Sequence, residues 1–282
     1  MHRGHRAILA ALLRERRPGY RAAVLTFRNH PATFLRPQQV PPLISTLEER
    51  LDNLGEAGID EVFLIPFDGA IATLDAATFL DEIVIRRLAI AALVVGGNFR
   101  FGADRGGDVA LAREVMDRRG VRFVAVSQLE DGGERVSSTR IRAAIADGDL
   151  EKADNLLGAS YVIRGRVVVG AGRGHDLGFP TANLALEGGK IVPADAVYRC
   201  IARYDGRDYA ALLSIGNNPT FDGAARTVEV WLRDFDRTIY GEELALRELR
   251  FVREQRRFDS PEALHEQMRA DVAAVPYPTF VR

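Results

Sequence analysis

From residue 21 to about residue 157, short apolar runs alternate with amphipathic stretches. Residues 22–27, 62–66, 90–95 and 121–126 read as buried strands. Residues 47–57, 76–88 and 109–118 read as helices, since apolar side chains recur there every three to four positions. Thr46 with Glu49 is the start signal of a capping box, and Asp108 can cap the third helix. Alternation of this kind predicts a parallel sheet covered on both faces, with ligands at the carboxyl ends of its strands. Ahead of it, residues 1–17 predict an amphipathic helix that buries Ile8, Leu9, Leu12 and Leu13 and stops at Pro18-Gly19. Two short helices, 139–146 and 149–157, close this half.

After Gly158 the period shortens to two. Residues 161–169, 197–204, 209–215, 226–232 and 244–251 are β-rich and separated by Gly, Asp and Asn turns, of which Tyr204-Asp205-Gly206-Arg207 is the plainest. Strands in succession with no helix between them predict an antiparallel barrel. A helix capped by Ser260, with Pro261 at its first position, ends the chain. The predicted domains are residues 1–158 and 159–282, with the boundary near 158–160.

Charge and cysteine usage narrow the function. The 282 residues carry 38 Lys and Arg against 39 Asp and Glu, so no basic field gathers nucleic acid or anionic lipid. The single cysteine, Cys200, excludes an intrachain disulfide and a cysteine-rich zinc cluster, and fits a reducing, cytoplasmic home. No apolar run approaches the ~18 residues of a membrane span. Arg14-Glu15-Arg16-Arg17 stands where a secretory signal would need small residues for cleavage. Oligomerisation leaves no signature.

Five constellations can carry chemistry. His2-Arg3-Gly4-His5 opens a helix whose free N–H groups and partial positive charge suit a triphosphate attacked at its α-phosphorus. Ser137-Ser138-Thr139 with Arg142 one turn later forms a second anion clamp, though a plain capped helix would read the same. Gly96-Gly97-Asn98-Phe99-Arg100-Phe101-Gly102 leaves a strand at its carboxyl end, where Asn98 offers donor and acceptor to a heterocycle edge. In the β-rich half, Gly170-Ala171-Gly172-Arg173-Gly174 fails as a dinucleotide fingerprint, because His175 stands where glycine is needed and Pro180 blocks the following helix. A glycine flap over a nucleotide, using Gly170, Arg173 and Gly174, is the better account. Thr181 and Asn183 then present oxygen ligands suited to Mg²⁺. Last, alternation over 226–231 sets Glu229 on the face opposite Val228 and Val230, as a candidate general base for a primary hydroxyl.

An H-x-G-H helix start with a distal S-S-T-x-x-R resembles the nucleotidyltransferase superfamily; the lysine-rich motif of class I aminoacyl-tRNA synthetases is missing. With Pro180-Thr181-Ala182-Asn183, Ile215-Gly216, Pro219-Thr220-Phe221 and Val228-Glu229-Val230, nearly the whole chain resembles the prokaryotic bifunctional riboflavin kinase/FMN adenylyltransferases. The resemblance implies a Rossmann-like nucleotidyltransferase domain with a parallel sheet, then an antiparallel β-barrel riboflavin kinase domain with a C-terminal helix. It implies riboflavin, FMN, FAD and ATP as ligands and Mg²⁺ with the ATP. Thr181 and Asn183 would hold Mg²⁺ and phosphates, and Glu229 would accept the hydroxyl proton. His2, His5, Ser138, Thr139 and Arg142 would stabilise the phosphates of adenylyl transfer, with Asn98 near flavin or nucleotide.

Family members carry a first strand ending in Gly-x-Phe-Asp-Gly immediately before H-x-G-H, whereas Met1 stands in the next position here. The resemblance therefore implies a start placed downstream of the native one and a sheet whose remaining strands have unpaired N–H and C=O groups. A smaller departure is Ala194-Asp195-Ala196, where the family has a glycine before Val-Tyr. A riboflavin kinase alone, or a noncatalytic flavin- or nucleotide-binding regulator, stay open as alternatives.

Overall fold

A computed structural model describes residues 1–170, 179–216, 226–256, 258–273 and 275, leaving aside the side chain of Pro261. The chain forms two compact units, Met1–Ser138 and Thr139–Arg282.

In the first unit, helix α1 (Arg3–Arg14) leads to parallel strands β1 (Ala23–Phe27), β2 (Glu61–Ile65), β3 (Ala92–Gly96) and β4 (Arg122–Val126), with helices α2 (Leu47–Glu56) and α3 (Val109–Arg118) among them. The parallel pairing expected from the apolar runs is present. Continuity is not: β1 pairs β2 and β3 pairs β4, with no ladder between the pairs among the described residues. Both pairs still serve one core, since Leu25, Ile65, Leu93 and Phe123 all pack on Leu80, Val84, Ala112, Val115 and Met116. On the other face Leu9 of α1 joins Ala22, Leu54 and Ile59. Both arms of the capping box form: Glu49 N donates to Thr46 Oγ1 at 3.1 Å, and Thr46 N to Glu49 Oε2 at 2.9 Å.

The helix expected over 76–88 is different in kind. A single turn, Ala76–Thr78, runs into a π-helix, Phe79–Arg87. Phe79, Leu80 and Val84 are its buried side chains, and the five-residue step from 79 to 84 matches the wider π repeat. Ala89, at φ 49°, follows its end. A short hairpin of β5 (Glu130–Asp131) and β6 (Glu134–Arg135) also escaped sequence reading.

The second unit begins with helices α4 (Ser138–Ala146) and α5 (Leu150–Leu157). By compactness they group with the barrel from Thr139 onward, so the compact units divide upstream of residues 158–160. Asp154 of α5 pairs with Arg250 at 2.9 Å and accepts from Tyr161 N at 2.6 Å. The barrel strands are β7 (Ile163–Val168), β8 (Ala182–Leu186), β9 (Ala196–Tyr204), β10 (Arg207–Gly216), β11 (Thr227–Leu232) and β12 (Glu243–Glu254). They close in the order β10-β11-β8-β7-β12-β9, every pairing antiparallel. Closure leaves no free edge. Tyr198, Leu213, Ile215, Val230, Leu244 and Leu246 are fully buried inside, each contributing about 1.5–3 kcal/mol. Helix α6 (Pro261–Ala273) is tied to β12 by Arg253–Asp271 at 2.8 Å. Strand β8 was missed, because its small residues follow a proline and show no strong β pattern.

Candidate active sites

In the barrel unit three strands converge. Strand β8 lies between β7 and β11, with Asn183 in register with Val168 on one side and Glu229 on the other. Directly paired antiparallel residues share a face with Cβ atoms roughly 5 Å apart, and residues two apart on a strand share a face. Thr181, Asn183 and Glu229 therefore meet, and Thr181 Oγ1 lies 3.3 Å from Glu229 Oε2. The alternating burial of β11 puts Val228, Val230 and Leu232 inward and leaves Glu229 half-buried on the other face. Gly170 follows β7 at the same place. A Cβ there would stand 2.0 Å from Asn183 Nδ2, so only glycine leaves Asn183 its position. The flap residues Arg173 and Gly174, and Pro219-Thr220-Phe221, lie outside the described residues.

Sequence reading missed Thr227. Its Oγ1 is 3.1 Å from Glu229 Oε1, and the same period-two alternation that singled out Glu229 places it on that face.

In the first unit His2 is the N-cap of α1 rather than part of the helix. His5 N donates to His2 Nδ1 at 3.3 Å, so the neutral His2 ring carries its proton on Nε2. The two rings stack with centroids 3.7 Å apart. Both are held down to about 4. Desolvation by burial is the first cause for both; the Met1 amino group adds to it for both, with repulsion from His2 adding for His5 and Arg135 adding for His2. His5 still exposes part of its side chain, so the stacked face rather than the whole ring loses water. At neutral pH both rings are uncharged hydrogen-bond donors.

This shift has a stability consequence. Between pH 6.5 and about 4 the unfolded chain protonates these imidazoles while the folded chain does not, so stability falls as pH drops through that window and is fully present above it. Thermal melts at pH 7 and pH 4.5 should show a drop that shrinks in a His2→Asn/His5→Asn double variant. An equal drop in both proteins would refute the assignment.

Beside this helix start lies a cleft of about 420 Å³ lined by Gly97, Asn98, Phe99, Arg100, Arg105, Asp108, Gln128 and Arg135, among others. Its floor loop is cross-tied, with Phe101 and Gly107 exchanging backbone bonds at 3.2 and 2.9 Å. At Gly102, with φ 74°, a Cβ would come within 2.6 Å of the Ala76 backbone. Arg135 reaches the cleft from the β5–β6 hairpin, which Arg3 holds to α1 through Asp131 at 2.9 Å. The first unit thus brings Asn98 and Arg135 to one cleft, and His2 feels the charge of Arg135.

Ser138 opens α4 at the end of the first unit. Thr139 and Arg142 belong to the second, where Thr139 is exposed and burial lowers the Arg142 guanidinium below its ordinary range. No group of three or more His, Cys, Asp or Glu able to hold a metal exists among the described residues.

An α/β unit with an H-x-G-H helix start, followed by a six-stranded barrel with a Thr-Asn-Glu cluster, defines a two-module nucleotide-using transferase. The FAD synthetase family model matches residues 1–140 and the riboflavin kinase model residues 157–276. The bifunctional riboflavin kinase/FMN adenylyltransferase of Escherichia coli K12 is 34% identical over 96% of this chain and 87% of its own length. That of Pseudomonas fluorescens is 37% identical over 97% and 88%. The chain belongs to the bifunctional riboflavin kinase/FMN adenylyltransferase family. A solved Streptococcus pneumoniae structure described as a macrolide-efflux protein has the same fold, with TM-score 0.86 and 34% identity over 96% of this chain and 89% of that one. Among the described residues of the present chain no helix is long and apolar enough to cross a membrane.

Proposed function

We propose that this chain converts riboflavin to FMN in its barrel and then FMN to FAD, spending one ATP at each step. The meeting of Thr181, Asn183 and Glu229 on one barrel wall carries the reading, because it sets a carboxylate beside oxygen donors for a metal–triphosphate. Glu229 takes the proton of the ribityl 5′-hydroxyl, and Thr181 and Asn183 hold the cation and phosphates. Mg²⁺ arriving with ATP supplies charge neutralisation at the transferred γ-phosphoryl group. In the second reaction the FMN phosphate, already ionised, needs no base. Neutral His2 and His5 donate to the α-phosphate region, and Asn98 orients flavin or nucleotide in the adjoining cleft.

Ser138, Thr139 and Arg142 are assigned to the second reaction by motif order. For that reason residues 1–158 count as the adenylyltransferase module and 159–282 as the kinase, although α4 and α5 pack with the barrel. Riboflavin, FMN, FAD and ATP are its ligands, and the charge balance gives nucleic acid no purchase. The buried, unpaired thiol of Cys200 suits the cytoplasm.

Incubation with riboflavin, ATP and Mg²⁺, followed by chromatography, should show FMN rising first and FAD after it. Persistent FMN that never becomes FAD, even when supplied directly, would remove the adenylyltransferase half. Unchanged riboflavin would overturn the whole assignment.

A further inference from the structure

Both oxygens of the Glu229 carboxylate face a hydroxyl, and the two hydroxyls come from different segments of the chain. Thr181, just before β8, reaches Oε2 at 3.3 Å. Thr227, two positions before Glu229 on β11, reaches Oε1 at 3.1 Å and also lies 3.3 Å from the carbonyl oxygen of Gly216. Thr227 and Gly216 are in register across the β10–β11 ladder. The end of β10 is itself fixed, since Gln255 Nε2 donates to Ser214 Oγ at 2.8 Å and to the Ile215 carbonyl at 3.1 Å. A glutamate's terminal torsion is broad and roughly two-fold, so one anchor leaves the carboxylate plane free to turn. Two anchors on opposite oxygens fix it.

We infer that Thr227 is a positioning residue for phosphoryl transfer: its hydroxyl holds the Glu229 carboxylate in the plane from which it takes the alcohol proton. The inference rests on the kinase reading. In that step the ribityl oxygen forms a bond to the γ-phosphorus while the bond from phosphorus to the β,γ-bridging oxygen breaks. ADP leaves with that electron pair, and the alcohol proton goes to Glu229. The single Thr227 proton has two acceptors. It points to Oε1 while the carboxylate is ionised and turns to the Gly216 carbonyl once Oε1 is protonated, so neither state sets two donors face to face.

The test compares Thr227→Val, which keeps the branched shape without the hydroxyl, with Thr227→Ser, which keeps the hydroxyl, both in the full chain. FMN formation is followed with riboflavin, ATP and Mg²⁺. Thr227→Val should lower kcat about tenfold while KM for riboflavin and for ATP stays within about twofold. Thr227→Ser should recover most of the loss, and melting midpoints should agree among the three proteins. In single turnovers, Thr227→Val added to Glu229→Gln should cost nothing further, because the residue acts through the carboxylate. Wild-type kcat in the valine variant, failure of serine to recover activity at matched stability, or full additivity in the double variant would each overturn the inference. A fully active Glu229→Gln enzyme would also overturn it, by removing Glu229 as the proton acceptor, whereas a wild-type chain that forms no FMN would overturn the kinase reading beneath it.

Discussion

Glu229→Gln should reduce the rate of riboflavin phosphorylation by about 10³-fold, the middle of the range for loss of a positioned general base. The amide is nearly isosteric and can still accept from one of the flanking hydroxyls, so the barrel wall keeps its shape while the proton acceptor is gone. Asn183, in register with residue 229, stays in place, and ATP affinity should move little. The loss therefore belongs in kcat, read as initial FMN formation from separated fluorescent flavins. Adenylylation of supplied FMN in the same preparation reports on the other module. A variant that phosphorylates at the wild-type rate would show that the alcohol loses its proton elsewhere.

The second large effect is expected at the start of α1. His2→Asn and His5→Asn should each lower FAD formation from FMN by about 10²-fold, as for removal of one preorganised donor to a developing negative charge. Asparagine is the informative replacement at position 2. It is a favoured N-cap, so the contact now made by His5 N to His2 Nδ1 can be replaced and helix loss is separated from donor loss. Because both rings sit near pKa 4, the wild-type rate should be level from pH 6 to pH 8. A rate that climbs steadily as pH falls through 6.5 would mean that an imidazolium, not a neutral ring, meets the phosphates.

Much of the architecture is legible in the chain because the physics that makes it is local. The apolar runs at β1 to β4 are too short for helices and too continuous for half-exposed strands, and they pair in parallel. Thr46 and Glu49 make their capping box within four residues. Asp205 and Gly206, both at positive φ, turn the β9–β10 hairpin as an Asp-Gly pair should. The same holds for Glu229, whose face follows from counting by twos.

What escaped depends on partners distant in sequence. Nothing around residue 170 announces that Asn183 will lie against it. Nor does anything around Asp154 of α5 announce that it will meet Arg250, 96 positions away. At Phe79–Arg87 the apolar spacing suits both a 3.6 and a wider repeat, and packing decides between them. The π-helix was therefore beyond a periodicity argument. Thr227 was within reach of one but carried no charge to draw notice.

The barrel is not equally fastened around its circumference. Strand β8 shares four register pairs with β7, from Gly165↔Leu186 to Val168↔Asn183, but only two with β11, Glu229↔Asn183 and Val230↔Ala182. Few ladder bonds mean a low local opening free energy. The seam between β8 and β11 is thus the one with the fewest register pairs of strand β8, and parting there would separate Glu229 from Thr181 and Asn183 while β8 stays joined to β7.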